Sequence, residues 1–404
     1  MSRSIQIQLS TMMFLQFFVW GAWFVTLGTF MEKNMMATAM ESGTAYSTQS
    51  WGAIIAPFII GLIADRYFNA EKILGFLHIA GAILLYSMAG ASNFDAFYPY
   101  VLGYMIAYMP TLALVNSVAF NQMKDPSKEF SFIRVFGTVG WIVAGLMISF
   151  VFKWDSQEMI ANGALKNTFL MAAVAAAALG LLSFTLPATP PKGKNGEKVS
   201  LSTILGLDAL KLLADRNYLI FFASSILICI PLAFYYNYTN PFLVNAGMEN
   251  PTGKMTIGQM SEVGFMLLLP FFFKRFGFKT TIIVGMLAWA LRYVMFAFGD
   301  AGSLSFMLIV GIALHGICYD FFFVSGQIYT NAKAGDSIKS AAQGLITLAT
   351  YGIGMMIGFW AAGQIVNANA NDWQTIWLYP AAFAAVIMLV FAVSFKNENI
   401  EYQE

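Results

Sequence analysis

Apolar runs of about 20 residues, each long enough to cross a bilayer as a helix, recur twelve times along the chain with short polar turns between them. They fall near residues 9–31, 47–64, 71–91, 97–122, 130–152 and 166–187, then 218–245, 255–273, 280–299, 303–332, 340–366 and 375–395. The longest polar segment runs from Pro187 to Arg216, contains Pro187, Pro190, Pro191, Lys192, Lys194 and Lys198, and separates six runs from six. This pattern predicts an all-α polytopic membrane protein with a six-helix bundle over 1–187, a linker over 188–216, and a second six-helix bundle with a short tail over 217–404. Within the linker, Leu201 to Leu213 has a weak amphipathic pattern suited to a short helix at the membrane surface.

Composition agrees. Of 404 residues, 58% are hydrophobic and only 11% charged, which excludes an ordinary soluble domain. A net charge of +1 and the absence of basic clusters interleaved with aromatics give no reason to expect nucleic acid as a partner. Cys229 and Cys318 both lie in apolar runs and offer no disulfide framework. The first run is too long for a signal-peptide core and is expected to be the first spanning helix. Lys and Arg gather in alternate loops: Arg3, Arg66, Lys72, Lys124, the linker lysines, Lys274, Arg275 and Lys396 lie on one side, and only Lys33, Lys153, Lys166 and Lys254 on the other. Positive residues favour the cytoplasm, so both termini are expected there.

Three ionisable residues interrupt the apolar runs: Arg134 in the fifth, Glu262 in the eighth and Asp320 in the tenth. A charge at the centre of a membrane helix costs roughly 2.5–3.5 kcal/mol even on lenient insertion scales, so such residues usually line a substrate or ion pathway. Arg134, Thr138 and Trp141 follow an i, i+4, i+7 spacing that puts them on one helix face. There the ring can stack on a flat base while the guanidinium and hydroxyl reach polar groups; the bland alternative is that Arg134 snorkels outward and Trp141 is ordinary packing. Gln259 and Glu262, at i, i+3, share a face of the eighth helix, and Glu262 could be either a proton site or half of a static ion pair.

If Arg134 is the one cation among these groups it balances one carboxylate, and the other, with Asp320 favoured by its depth, becomes the proton carrier. Arg292, seven residues before Asp300, is expected to reach the outer interface. His315, one turn before Tyr319, is either a ligand or relay or a satisfied structural residue. His78 reads as structural. For Tyr235, Tyr236, Asn237, Tyr238 and Asn240 the choice is between a gate or ligand wall and an interfacial aromatic belt, and for Gln16, Trp20 and Trp23 between a cavity wall and core. Gly140, Gly354 and Gly358 read as packing surfaces.

The halves echo one another. Asp65-Arg66-Tyr67-Phe68 after the second run corresponds to Lys274-Arg275-Phe276-Gly277 after the eighth, and Thr138-Val139-Gly140 to Thr350-Tyr351-Gly352. Such duplication places substrate near the midplane where the halves meet. Gly61-Leu62-Ile63-Ala64-Asp65-Arg66 resembles the signature loop of the major facilitator superfamily. Within that superfamily the chain resembles the bacterial nucleoside:proton symporters. The resemblance is carried by Phe14-Leu15-Gln16-Phe17-Phe18-Val19-Trp20-Gly21-Ala22-Trp23, Ala107-Tyr108-Met109-Pro110-Thr111-Leu112 and Ile133-Arg134-Val135-Phe136-Gly137-Thr138, and by Gln259-Met260-Ser261-Glu262, Asp320-Phe321-Phe322 and Asp372-Trp373-Gln374-Thr375-Ile376-Trp377.

That resemblance implies the major facilitator fold, proton-driven nucleoside uptake across a bacterial inner membrane, and a monomer that needs no cofactor. It also implies substrate contacts at Arg134, Thr138, Trp141, Tyr236, Gln259, Glu262, His315, Tyr319 and Asp320, with proton coupling at Asp320 and Glu262. Ala233, Tyr236 and His315 depart from the Gln, Asn and Tyr that the resemblance leads one to expect, which leaves a sugar or amino sugar open as substrate. A non-transporting sensor would need an output domain beyond the short tail after Phe395, and an enzyme would need a nucleophile with its base or a ligand cluster, which two widely separated His do not supply.

Overall fold

The computed structural model describes residues 2–59, 67–124, 126–191, 207–370 and 372–398. Helices occupy all twelve apolar runs. In the first half they are α1 (Arg3–Gly21), α2 (Ala39–Ile59), α3 (Ala70–Gly90), α4 (Phe94–Gln122), α5 (Pro126–Leu146) and α6 (Lys166–Ser183). In the second half, α7 spans Arg216–Asn245. The stretch Pro251–Phe298 is two helices, α8 (251–276) and α9 (278–298), broken where Gly277 takes φ 77°, a left-handed conformation that glycine adopts without steric cost. Gly335, at φ 62°, makes the corresponding break between α10 (Ser305–Gly335) and α11 (Ala341–Ala368). The last span is α12 (Trp373–Ser394).

Polar residues at the ends of the apolar runs start several of these helices. Asn93, Asp215 and Asp372 each accept a hydrogen bond from the backbone N–H three residues on, satisfying a donor that the first helical turn leaves orphaned. Asp215 also accepts from Lys333 at 2.9 Å, and together these hydrogen bonds hold its carboxyl below the usual carboxylate range. Lys333 reaches Glu398 as well, and Asn217 donates to Glu398 at 2.6 Å, so the start of α7, the end of α10 and the segment after α12 are tied together.

Two compact units emerge: Met1–Val199 with Glu249–Gly253, and Ser200–Met248 with Lys254–Glu404. The first turn of α8 therefore groups with the first unit. There the Thr252 N–H donates to Asp155 Oδ2 at 3.0 Å and the Gly253 N–H to Ser149 Oγ at 2.7 Å, while the Ser149 hydroxyl donates to Asp155. A buried carboxylate and a hydroxyl thus cap the helix from a distant part of the sequence.

Lipid tails are as apolar as leucine, so burial of apolar surface alone does not join these helices; close packing does. In the first unit α1 packs on α5 at Gly140, where a Cβ would come within 2.1 Å of the Phe14 carbonyl oxygen. In the second unit α7 packs on α11 at Gly358, where a Cβ would meet Ala233 at 2.6 Å. These glycines are packing surfaces, and the same helix pair in each half uses them. Leu181, Leu267 and Val393 are among the exposed apolar side chains, as a lipid-facing surface requires.

The signature loop Gly61–Arg66 and the linker residues Lys192, Lys194 and Lys198 lie outside the described residues. Of the expected surface helix, Leu207–Ala214 forms a short 3-10 segment whose Ala209 is buried against Ala334, Ala342 and Leu345.

Candidate functional site

In the first unit, the guanidinium of Arg134 lies over the Phe17 ring, 4.2 Å from its centroid. Gly137 makes room for this contact, since a Cβ there would come within 2.6 Å of the Phe17 ring and 2.8 Å of Arg134 Nη1. Thr138 and Trp141 follow on the same side of α5, all three half-buried. Trp141 meets Trp20 edge-on at 5.6 Å, and Trp20 meets Tyr108 at 5.5 Å, giving α1, α4 and α5 a shared aromatic wall.

Behind that wall is a closed polar network. Gln16 donates to Thr111 at 2.7 Å, its side-chain oxygen lies 2.8 Å from His78 Nε2, and Tyr108 donates to its backbone carbonyl at 2.7 Å. Both functions of the amide are used, so His78 is the donor in that pair and is structural, as its isolation in sequence suggested. Gln16 and Trp23 are fully buried, Trp23 against Tyr104 and Phe169, which places both in the core; Trp20 alone of that stripe is half-buried.

The second unit gathers Tyr236, Glu262, His315, Tyr319 and Asp320. The α8 face that carries Gly258, Ser261 and Glu262 packs against an interruption in α10 between Ala313 and His315. Ser261 donates to the Ala313 carbonyl at 2.6 Å and accepts from the Gly316 N–H at 3.1 Å; a Cβ on Gly316 would lie 2.6 Å from the Glu262 nitrogen. One turn later α10 widens into a π turn over Asp320–Val324, a distortion often found at functional positions.

Asp320 stands at the start of that turn with no surface exposed, and among the described residues neither carboxyl oxygen has a hydrogen-bond partner. Glu262 is half-buried on the same α8 face. Tyr319 shares a hydrogen bond with Tyr351 at 3.0 Å, and Tyr351 sits in a second π turn, Leu348–Gly354 of α11. The two tyrosines border a cleft among α7, α10 and α11 that Ser225, Gln327 and Thr350 also line. Gln259 is half-buried one turn before Glu262.

Two expectations need correction. Arg292 does not reach the outer interface: it is fully buried, with its guanidinium 4.0 Å from the centroid of the Tyr235 ring and its Nε donating to the Gly311 carbonyl at 3.1 Å. Trp289, Tyr293 and Phe296 share its face and are buried, whereas Leu291 and Val294 face outward. Tyr235, Asn237, Tyr238 and Asn240 are buried inside the unit, so the belt reading fails for them. His315 stacks on Tyr235 with ring centroids 5.1 Å apart. The sequence reading passed over Arg292 and Tyr351 as candidate site residues and left Tyr235 between a ligand wall and a belt.

Residues 3–400 match the family described as nucleoside H+ symporter. YegT of Escherichia coli (strain K12) is 41% identical over 409 residues, covering 98% of this chain and 94% of YegT. The xanthosine permease of the same organism is 36% identical over 417 residues, covering 98% and 97%. The crystal structure of a mutant of the nucleoside transporter NupG superposes with a TM-score of 0.89 at 29% identity, covering 97% of this chain and all of that one. The POT family transporter PepTSo, at 15% identity and a TM-score of 0.73 with 98% of each chain covered, shares the fold alone. Matched from end to end by these comparisons, the chain belongs to the nucleoside H+ symporter family and is a membrane transporter, not an enzyme.

Proposed function

We propose that this transporter carries a nucleoside inward with a proton, with substrate contacts at Arg134, Thr138 and Trp141 in the first unit and at Tyr236, Gln259, Glu262, His315, Tyr319 and Asp320 in the second. Trp141 and the tyrosines offer faces for the base; Arg134, Thr138 and Gln259 offer groups for the ribose hydroxyls and base edges. Asp320 carries the proton, with Glu262 as its partner in a coupled titration.

The observation that most supports this reading is Asp320 itself, buried in a membrane helix at a π turn without a hydrogen-bond partner for either oxygen among the described residues. Leaving such a group charged costs several kcal/mol, so it favours a bound proton whenever its surroundings are dry. Both termini face the cytoplasm, a reading supported by the clustering of Lys and Arg in the loops on that side. One chain contains every residue named here, so a monomer suffices.

Uptake into proteoliposomes tests the proposal, using nucleosides that include xanthosine, free bases and sugars, each with and without an imposed pH gradient. Nucleoside accumulation only with the inward gradient is expected. Accumulation of a sugar but of no nucleoside would overturn the assignment.

A further inference from the structure

Tyr351 lies outside the set of residues assigned above, yet it is bonded to one of them. Its hydroxyl shares a hydrogen bond with that of Tyr319 at 3.0 Å, tying α11 to α10 at the cleft that both rings border. The Phe323 ring packs against both, with centroids 5.2 Å from Tyr319 and 6.5 Å from Tyr351, and is buried edge-on against Trp289 at 5.7 Å. Ser225, Thr347 and Thr350, which also line the cleft, each donate to a carbonyl of their own helix at 2.8 Å, so none has a proton to spare for either tyrosine.

The two tyrosines are held unequally. Tyr351 belongs to the π turn Leu348–Gly354, which is pressed onto α7: a Cβ on Gly354 would lie 2.7 Å from the Ile226 carbonyl oxygen and 2.8 Å from the Cys229 Cβ, and one on Gly358 would lie 2.6 Å from the Ala233 Cβ. Backbones that close leave the turn no room to slide. Tyr319 instead ends a helical segment of five residues, His315–Tyr319, with the interruption before it and the π turn that begins at Asp320 after it. So short a segment fixes its side chains weakly, and the bond to an anchored partner supplies the direction.

Tyr319 in turn packs on His315 with centroids 5.9 Å apart, and His315 stacks on Tyr235. His315 is buried, with no partner for Nδ1 among the described residues. A flat base is held by ring faces in set planes, and a tyrosine anchored through its hydroxyl presents its face without first losing rotamer freedom.

Taking the nucleoside reading above as its basis, we infer that Tyr351 is a positioning residue for substrate recognition: its hydroxyl, carried on a turn anchored to α7, sets the plane of the Tyr319 ring against which the base is held.

Tyr351→Phe, Tyr319→Phe and the double variant, reconstituted as full chains in proteoliposomes, test this through the half-saturation constant and maximal rate of nucleoside counterflow. Tyr351→Phe is expected to raise half-saturation roughly two- to tenfold, the worth of one neutral hydrogen bond, with a smaller change in maximal rate. Tyr319→Phe breaks the same bond and should give a similar rise, and the double variant should be no weaker than either single one, as for two groups that act through one contact. A wild-type half-saturation constant in Tyr351→Phe, whatever its thermal unfolding midpoint in detergent, would overturn the inference. So would rises that multiply in the double variant, which indicate two independent contacts, or equal changes in half-saturation and maximal rate in Tyr351→Phe, which indicate a packing role. Failure of the wild type to exchange any nucleoside would instead overturn the proposed function, so the two failures are distinguishable.

Discussion

Each half of the molecule presses one embedded arginine onto an aromatic ring, and the two arrangements differ in what surrounds them. Arg134 is half-buried over Phe17, beside a network in which Gln16, His78, Thr111 and Tyr108 satisfy one another. Arg292 is fully buried over Tyr235, and around it lie ionisable atoms with no hydrogen-bond partner in the described structure: its own Nη1 and Nη2, His315 Nδ1, and, further along α10, both oxygens of Asp320. Unpaired buried polar atoms of the first unit, such as the Trp20 and Trp23 indole nitrogens and the Tyr104 hydroxyl, belong to side chains that stay neutral. A closed network fixes geometry, while an open set of ionisable groups can change its charge state. The contrast fits the proposed division, in which the first half contributes fixed substrate contacts and the second adds the acids that handle the proton.

The largest effect that could break this contrast is expected from Asp320→Asn, which should abolish accumulation under a proton gradient while leaving nucleoside counterflow intact. Full proton-driven accumulation by that variant would remove the second half's special role. Next comes Arg134→Ala, which should weaken nucleoside binding by about 1.5–3 kcal/mol, the usual value of a hydrogen bond to a charged group, and leave the pH profile of uptake in place; titration calorimetry or competition binding measures it. A changed pH profile with unchanged affinity would mean that both halves handle the proton.

A third variant separates structure from function. Gln16→Leu leaves His78 and Thr111 without their partner and should cost about 1–3 kcal/mol of stability, read as a lower midpoint of thermal unfolding in detergent, with coupling retained in the folded fraction. The smallest effect belongs to Lys333→Gln at the edge of the second half. The Lys333 bond lowers the Asp215 carboxyl, so the stability it lends is complete above the ordinary Asp value of about 3.9 and fades as the pH falls through the lowered folded value. A partly exposed pair of this kind contributes at most about 1 kcal/mol. The variant should melt slightly lower at neutral pH, and the difference should vanish in acid.

Most of the fold was legible because a bilayer imposes one dominant rule, a helix-length apolar run between polar turns. The breaks at Gly277 and Gly335 fall in the polar gaps between the runs ending at 273 and 332 and those starting at 280 and 340, so the sequence marked their places as well. The spacing of Arg134, Thr138 and Trp141 led directly to their shared side of α5. Arg292 was misread because its distance from Asp300 fitted a snorkelling side chain, and distance along a helix says nothing about direction around it. The signal was present in its neighbours: Trp289, Tyr293 and Phe296 lie on its face, while Leu291 and Val294, better suited to lipid, lie opposite. Tyr351 was noticed only as part of an internal echo, and its hydrogen bond to Tyr319 depends on a π turn that residue spacing does not announce.

The cap that Ser149 and Asp155 place on the first turn of α8 means that the first half is not a continuous piece of chain. A gene cut in the linker would yield an amino-terminal fragment with a buried acid deprived of its amide donors and a carboxy-terminal fragment whose α8 begins uncapped. Five residues beyond the linker belong with the first unit, so each fragment is expected to lack partners that the single polypeptide supplies.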